Sequence, residues 1–442
     1  MKKSFWYFVG CLILLLAGGA WWFLTTAGER EKPVISAGED FAVIGLQKVL
    51  TIAFSDQGRG LSHTEITITQ DNRPRIISSL AYPEKGIRQK TLSVTVDAAA
   101  LKLQDGPATL TLAAVDHSLW KNQNTVTLPV TIDLLPPQVF QLNPINHINP
   151  GGACIVTYRL SEPAVLTGVQ AGDVFHPGCP VTLSGKSSYV AYFALPMEAV
   201  KGSPPLRILA RDRAGNETVS AVPALILKRK FRSDKMGLSD NFLGQKMPEF
   251  QAANPALRGK TPLETFIHVN TVMREENAAM IQDVCRQSEA RQLWQGAFGR
   301  MKNAAPMALF GDRRTYIYDG KVVGESVHAG VDLASLAKVP IEAANSGVVR
   351  FAGPLGIYGS TVIIDHGQGL ATLYAHLSSV NVNPGRTVNK GEVIGVSGES
   401  GLAGGDHLHF SVMINGRFVD PREWWDPHWI EDNVTKKIDV SF

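Results

Sequence analysis

The chain opens on an unbroken apolar run from Phe5 to Leu24, with Lys2 and Lys3 ahead of it. About twenty such residues suffice for a helix to cross a bilayer. From Pro33 to about Leu227 the pattern shifts to period two. Runs such as Thr64-Glu65-Ile66-Thr67-Ile68-Thr69 and Leu92-Ser93-Val94-Thr95-Val96 alternate, with Asp, Asn, Gly and Pro clusters between them, and predict short half-buried strands. A helical period takes over at Thr261. Apolar residues recur at Phe266, Val269, Val272 and Met273, then at Ile281, Val284, Cys285 and Trp294. Thr261 as N-cap, Pro262 in the first turn and Glu264 completing a capping box mark the start, so one or two helices are expected between Thr261 and Arg300. Further on, Gly369 to Leu377 reads as a buried strand and Asp406 to Ile414 as another, closed by the type I′ turn signal Asn415-Gly416.

The apolar run has two readings. A cleavable signal would have a shorter core and a small-residue site, which Ala17-Gly18-Gly19-Ala20 imitates. Trp21, Trp22, Phe23 and Leu24 instead prolong the run and place aromatics where an interface belt would lie, favouring an uncleaved anchor. Lys2 and Lys3 then keep the amino end cytoplasmic and put everything after Thr26 outside the inner membrane. Cys11 precedes the apolar core instead of following it, so it reads as a membrane-buried thiol and not a lipoprotein site.

The β region contains a repeat. Leu110-Thr111-Leu112-Ala113-Ala114-Val115-Asp116 matches Leu206-Arg207-Ile208-Leu209-Ala210-Arg211-Asp212 at an offset of 96. That is close to the ~100 residues of an immunoglobulin-like sandwich, so two such sandwiches are expected in tandem. The turn Ala210 to Asn216 resembles that of bacterial surface Ig-like modules, and Leu134-Leu135-Pro136-Pro137 should separate the pair. The expected role of both modules is as spacers.

Composition adds bounds. At 442 residues the chain exceeds one hydrophobic core, and a formal charge of +3 without a concentrated basic face excludes a nucleic-acid binder. Cys154 and Cys179 both fall in the second sandwich, where an oxidising compartment would permit a disulfide. Cys285 reads as a buried small apolar residue.

The chemistry concentrates near the end, in His328-Ala329-Gly330-Val331-Asp332, Leu373-Tyr374-Ala375-His376-Leu377 and His407-Leu408-His409-Phe410. Residues two apart in a strand face one side, so His407 and His409 share a cleft, where one can bind metal while the other handles protons. His328 and Asp332, four apart, can converge on one ion, with Gly330 letting the backbone pack close. His376, on an apolar strand, needs a partner or a function. His63, His117, His147, His176, His268 and His428 are scattered without ligand spacing, and His366 reads as structural. Trp424, Trp425 and Trp429 read as packing of the tail.

These three motifs, in this order and with the Gly-rich turns Val382 to Gly385 and Lys390 to Gly395, resemble the lysostaphin-type (LytM-type) zinc metallopeptidases from about Gly311 to Pro421. The resemblance implies one Zn2+ held by His328, Asp332 and His409, with His376 and His407 as the catalytic pair. The chain departs from the family in the loop Ser400 to His407, which lacks the usual Thr-Gly-x-Ser-x-Gly-Pro-His form and bears on substrate preference. The expected fold is multidomain and mainly β. It comprises a cytoplasmic tip and transmembrane anchor (1–32), Ig-like sandwiches (33–136 and 137–228), a linker with amphipathic helices (229–303) and a LytM-type peptidase domain (304–442). The implied function is a membrane-anchored endopeptidase of peptidoglycan peptide stems in the periplasm, open to protein regulators. Alternatives are a non-catalytic activator of another wall hydrolase and a zinc protease of extracytoplasmic proteins. Position alone suggests that the helices before the catalytic domain cover its cleft.

Overall fold

The computed structural model describes residues 2–23, 30–38, 41–143 and 145–438. The chain is mainly β and opens on an apolar helix, α1 (Lys2–Trp22). Its stretch Phe5–Trp22 is long and apolar enough to cross a membrane, and none of it is covered by the rest of the protein. Leu24 and Thr26, where the anchor was expected to end, lie outside the described residues. The chain divides into two compact units, one running from this helix to residue 137 together with 211–217, the other covering 138–210 and the chain from 218 on.

In the first unit a three-stranded sheet (Val34–Ala37, Gln47–Ser55, Gln89–Asp97) and a five-stranded sheet share one core. The alternation explains why: Ile66 and Ile68 from one sheet and Leu50, Ile52 and Phe54 from the other are fully buried, while their neighbours face outward. The repeated Asp also acquires a reason. Asp116 accepts from the Ser118 amide and hydroxyl and from Asn122, and Asp212 accepts from the Asn216 amide and side chain. Each buried carboxylate thus ties the turn that follows its strand.

The second unit begins with another pair of sheets around Val156, Tyr158, Val169, Phe193 and Ile208. Three strands of one sheet matter below: β1 (Ala153–Leu160), β2 (Cys179–Leu183) and β3 (Lys186–Ala194), in the order β2-β3-β1. This sheet is apolar on both faces. Ile155, Val190, Tyr192 and Ala194 point away from the core just named and join Trp294, Phe298, Phe310 and Trp424 in the core of the C-terminal domain. A disulfide between Cys154 and Cys179 is not formed, and both thiols are free. Strand β3 lies between them, which separates the pair by two strand spacings of about 4.8 Å each, beyond the ~7 Å reach of a disulfide.

The C-terminal domain is built on an eight-stranded sheet. Its strands run in the order β5 (Ala305–Ala308), β8 (Val331–Ala334), β13 (Leu408–Ile414), β11 (Leu370–Leu377), β10 (Ser360–Gly367), β9 (Gly347–Pro354) and β12 (Thr387–Val388), with β14 (Arg417–Val419) paired to β13. A small sheet of β4 (Ser233–Gly237), β6 (Arg313–Tyr318) and β7 (Lys321–Val327) leads into it. Alternation along β13 sends Leu408, Phe410, Val412 and Ile414 into the core shared with the sandwich and Met413 into another. That second core is covered by α2 (Asp240–Ala253), α3 (Pro262–His268) and α4 (Arg274–Cys285).

The helical segment differs from the sequence reading. Helix α2 lies ahead of the Thr261 to Arg300 stretch in which helices were expected, and it carries two breakers, Gly244 and Pro248, in its interior. The Thr261 capping box is present, and a π-helical turn at Val269–Met273 joins α3 to α4. The helix ends at Cys285, so Trp294 sits on irregular chain and is buried by Phe298 and Trp424 instead.

Candidate metal centre

The side of β13 opposite Phe410 carries His409, and β8 sets Asp332 directly against it in register. His328 lies at the end of β7, where its amide donates to the Asp312 carbonyl. The three side chains meet: His328 Nε2 and His409 Nδ1 lie 2.9 and 2.8 Å from Asp332 Oδ1 and 3.0 Å from each other. Gly330 is required for this approach, since a Cβ there would stand 2.4 Å from the Phe410 carbonyl and 2.8 Å from His409 Nε2.

The partners behind the cluster decide which nitrogens face inward. His328 Nδ1 donates to the Leu309 carbonyl at 2.9 Å, which leaves a lone pair on Nε2. Ser411 Oγ lies 3.0 Å from His409 Nε2, and accepting that proton leaves the lone pair on Nδ1. Two imidazole lone pairs and a carboxylate oxygen, all buried and converging, fit a metal site. Burial alone would raise the Asp332 carboxyl, but the His328 and His409 imidazoles against Oδ1 outweigh it and hold the group well below the usual range. Burial pushes His409 down to about 4, so at neutral pH it is an uncharged ligand.

His376 reaches the same cleft by a break in the alternation. Strand β11 directs Leu370 and Tyr374 into one core and Ala371, Leu373 and Ala375 into the other. By parity His376 would follow Tyr374, away from the metal cluster. A bulge sets Ser360 opposite Leu377 and Val362 opposite Tyr374, and His376 takes a left-handed φ of 61°. Its ring then stands 5.9 Å from that of His409 and 4.8 Å from that of His407. His376 Nδ1 donates to the Ser400 carbonyl and His407 Nδ1 to the Gly405 carbonyl, both at 2.8 Å, so each has Nε2 free to accept a proton. Burial, with His409 and His407 nearby, pushes His376 down to about 3.

All five residues line a cleft of about 550 Å3. Its other walls are Phe242 of α2, Phe266 of α3, Arg274 of α4, Arg314 of β6 and Tyr358, whose ring packs 5.5 Å from that of His409; helices at the cleft were expected from position, whereas the parts played by α2, Arg314 and Tyr358 were not. His366 is buried between the Ser346 carbonyl and Thr372 and is structural. The Trp424, Trp425 and Trp429 group packs the tail against the domain core.

The profile of Peptidase family M23 matches residues 326–421. The chain carries a peptidase M23 domain, of the LytM or lysostaphin type, at its C-terminus. Over 95 residues, 22% of each chain, it is 44% identical to the DD-carboxypeptidase/endopeptidase Mpg of Neisseria meningitidis. It is 28% identical over 186 residues to the peptidoglycan DD-endopeptidase ShyA of Vibrio cholerae, covering 41% of this chain and 40% of that one. The catalytic domain of lysostaphin from Staphylococcus simulans is 29% identical, the likeness covering 28% of this chain and 92% of that one with a TM-score of 0.24. The chain thus spans about a fifth to two fifths of the length of these curated relatives.

Proposed function

We propose that this chain is a membrane-anchored zinc metallo-endopeptidase that hydrolyses peptide cross-links of peptidoglycan in the periplasm. The observation that carries the reading is the set of hydrogen bonds behind the cluster, which turns the His328, Asp332 and His409 donor atoms onto one point. The name of the relative ShyA, a peptidoglycan DD-endopeptidase, supports the substrate class. The apolar helix α1 supports anchoring, with the first pair of sheets as an Ig-like spacer above the membrane.

His328, Asp332 and His409 would hold the zinc, which when bound polarises the scissile carbonyl and lowers the pKa of the attacking water. His376 and His407 move the protons. With Nδ1 committed to a carbonyl, each presents Nε2 to the cleft, where one accepts the proton of the attacking water and returns it to the leaving amine, and the other, when protonated at Nε2, donates to the oxyanion. The apolar side chains of Phe242, Phe266 and Leu238 line the same cleft.

The test is made on the full-length chain in detergent, with zinc measured by elemental analysis and muropeptide release measured from purified sacculi. One zinc per chain and release abolished by His409→Ala are expected. Zinc without release, accompanied by cleavage of unfolded protein substrates, would transfer the assignment to a protein protease. Neither zinc nor release would leave the non-catalytic activator.

A further inference from the structure

Asp332 uses its two oxygens differently. Oδ1 lies within 2.9 Å of both imidazole nitrogens of the cluster, while Oδ2 accepts from Arg314 Nη2 at 3.2 Å. Arg314 comes from β6, ahead of the residues that match the peptidase family, and its guanidinium lines the cleft. Among the described residues its one ion pair is with Asp332, and that pair is largely buried.

An aspartate ligand without such a partner can turn about its Cβ–Cγ bond and offer either oxygen, or both. We infer that Arg314 is a positioning residue for the metal, holding Oδ2 so that Asp332 presents Oδ1 alone to the ion. The inference rests on the metallopeptidase reading above. The surroundings make the hold rigid: β6 pairs with β7 through Arg314 and Ser326, and β7 runs directly into His328. The arginine and the first ligand therefore sit on one hairpin, and the ion pair closes that hairpin onto β8. Partners behind metal ligands change affinity by roughly 10- to 100-fold when removed.

The sign of the effect separates positioning from simple electrostatics. A guanidinium beside a cation site repels the cation, so if charge alone counted, its removal would tighten binding. If Arg314 positions the carboxylate, removal weakens binding although a positive charge has been lost. The experiment measures zinc affinity of full-length protein in detergent by competition with a chromogenic chelator, with cobalt substitution to read coordination from the visible spectrum. Arg314→Met should bind zinc roughly 10- to 100-fold more weakly, with an altered cobalt spectrum and a metal-free unfolding temperature near that of the parent. Arg314→Lys, which keeps one charged donor, should recover part of the loss. Unchanged or tighter zinc binding by Arg314→Met, with an unaltered cobalt spectrum, overturns the inference. If that variant does not fold, Arg314→Gln carries the same decision: tighter zinc binding, as loss of a repelling charge alone would give, overturns the inference, and weaker binding with an altered cobalt spectrum supports it. The parent and His409→Ala bracket the measurement: a parent that binds no zinc defeats the metallopeptidase reading itself, separately from the role of Arg314.

Discussion

At the scale of single residues, His376 and Gly330 show how the site depends on backbone that side-chain chemistry does not reveal. A histidine in the left-handed region is uncommon and is tolerated here because the bulge and the Ser400 carbonyl hold it. His376→Ala should therefore retain zinc, measured by elemental analysis, while muropeptide release falls roughly 10²- to 10⁴-fold. A variant that stayed fully active would remove His376 from the proton transfers. Gly330→Ala should act in the other way. Its Cβ meets the Phe410 carbonyl and the His409–Ser411 pair, so the strands must part and the ligands with them. Loss of zinc together with about 1–3 kcal/mol of stability is expected, checked by metal content and denaturant unfolding. The residue types and their spacing were legible in the sequence, and so was the need for glycine at 330. The rotation that brings His376 to the cleft was not, because it arises from a bulge that breaks the two-residue period.

At the scale of elements, the helices before the catalytic sheet are walls of the cleft and also part of its core. Phe266, Val269 and Ile281 are fully buried against Leu373, Ala375 and Met413, and Asn277 accepts from the amide of Ile357, next to Tyr358. A cover held only by surface contacts could be deleted, whereas deletion of Thr261 to Arg300 would strip one face of the sheet and also remove Trp294 and Phe298 from the other. Ile281→Ala should cost about 2–5 kcal/mol in denaturant unfolding of the domain. A loss below 1 kcal/mol would mean that the helix is only loosely attached. The capping box at Thr261 announced this segment because it is a local signal. Helix α2 was hidden because tertiary burial of Leu243, Met247 and Phe250 overrides its weak local propensity.

At the scale of the whole molecule, the sandwich preceding the helices is joined to the peptidase domain by a continuous core, so it acts as a buttress to that domain. The sequence carried a sign of this: Ala153 to Tyr158 and Tyr189 to Ala194 are nearly unbroken apolar runs, as expected of strands buried on both faces. The joint contains an ionisable group. Glu423, in the short helix α5 (Pro421–Trp425), accepts from the Ala153 amide at 2.9 Å and from Asn149 at 3.3 Å. Burial pushes its carboxyl up to about 7, against the lowering effect of those two donors. A folded-state pKa above the unfolded value favours folding while the carboxyl is protonated in both states, below about 4.5, and that advantage is lost as pH rises through 7. Over that window the joint should weaken by roughly 3 kcal/mol. Glu423→Gln cannot ionise, yet its amide oxygen can still accept from Ala153. Unfolding of the parent and the variant by urea should therefore diverge with pH, the variant gaining on the parent between pH 5 and pH 8 and showing little advantage at the acid end. Parallel curves across that range would mean that the carboxylate is satisfied where it lies and that the joint carries no dependence on its ionisation.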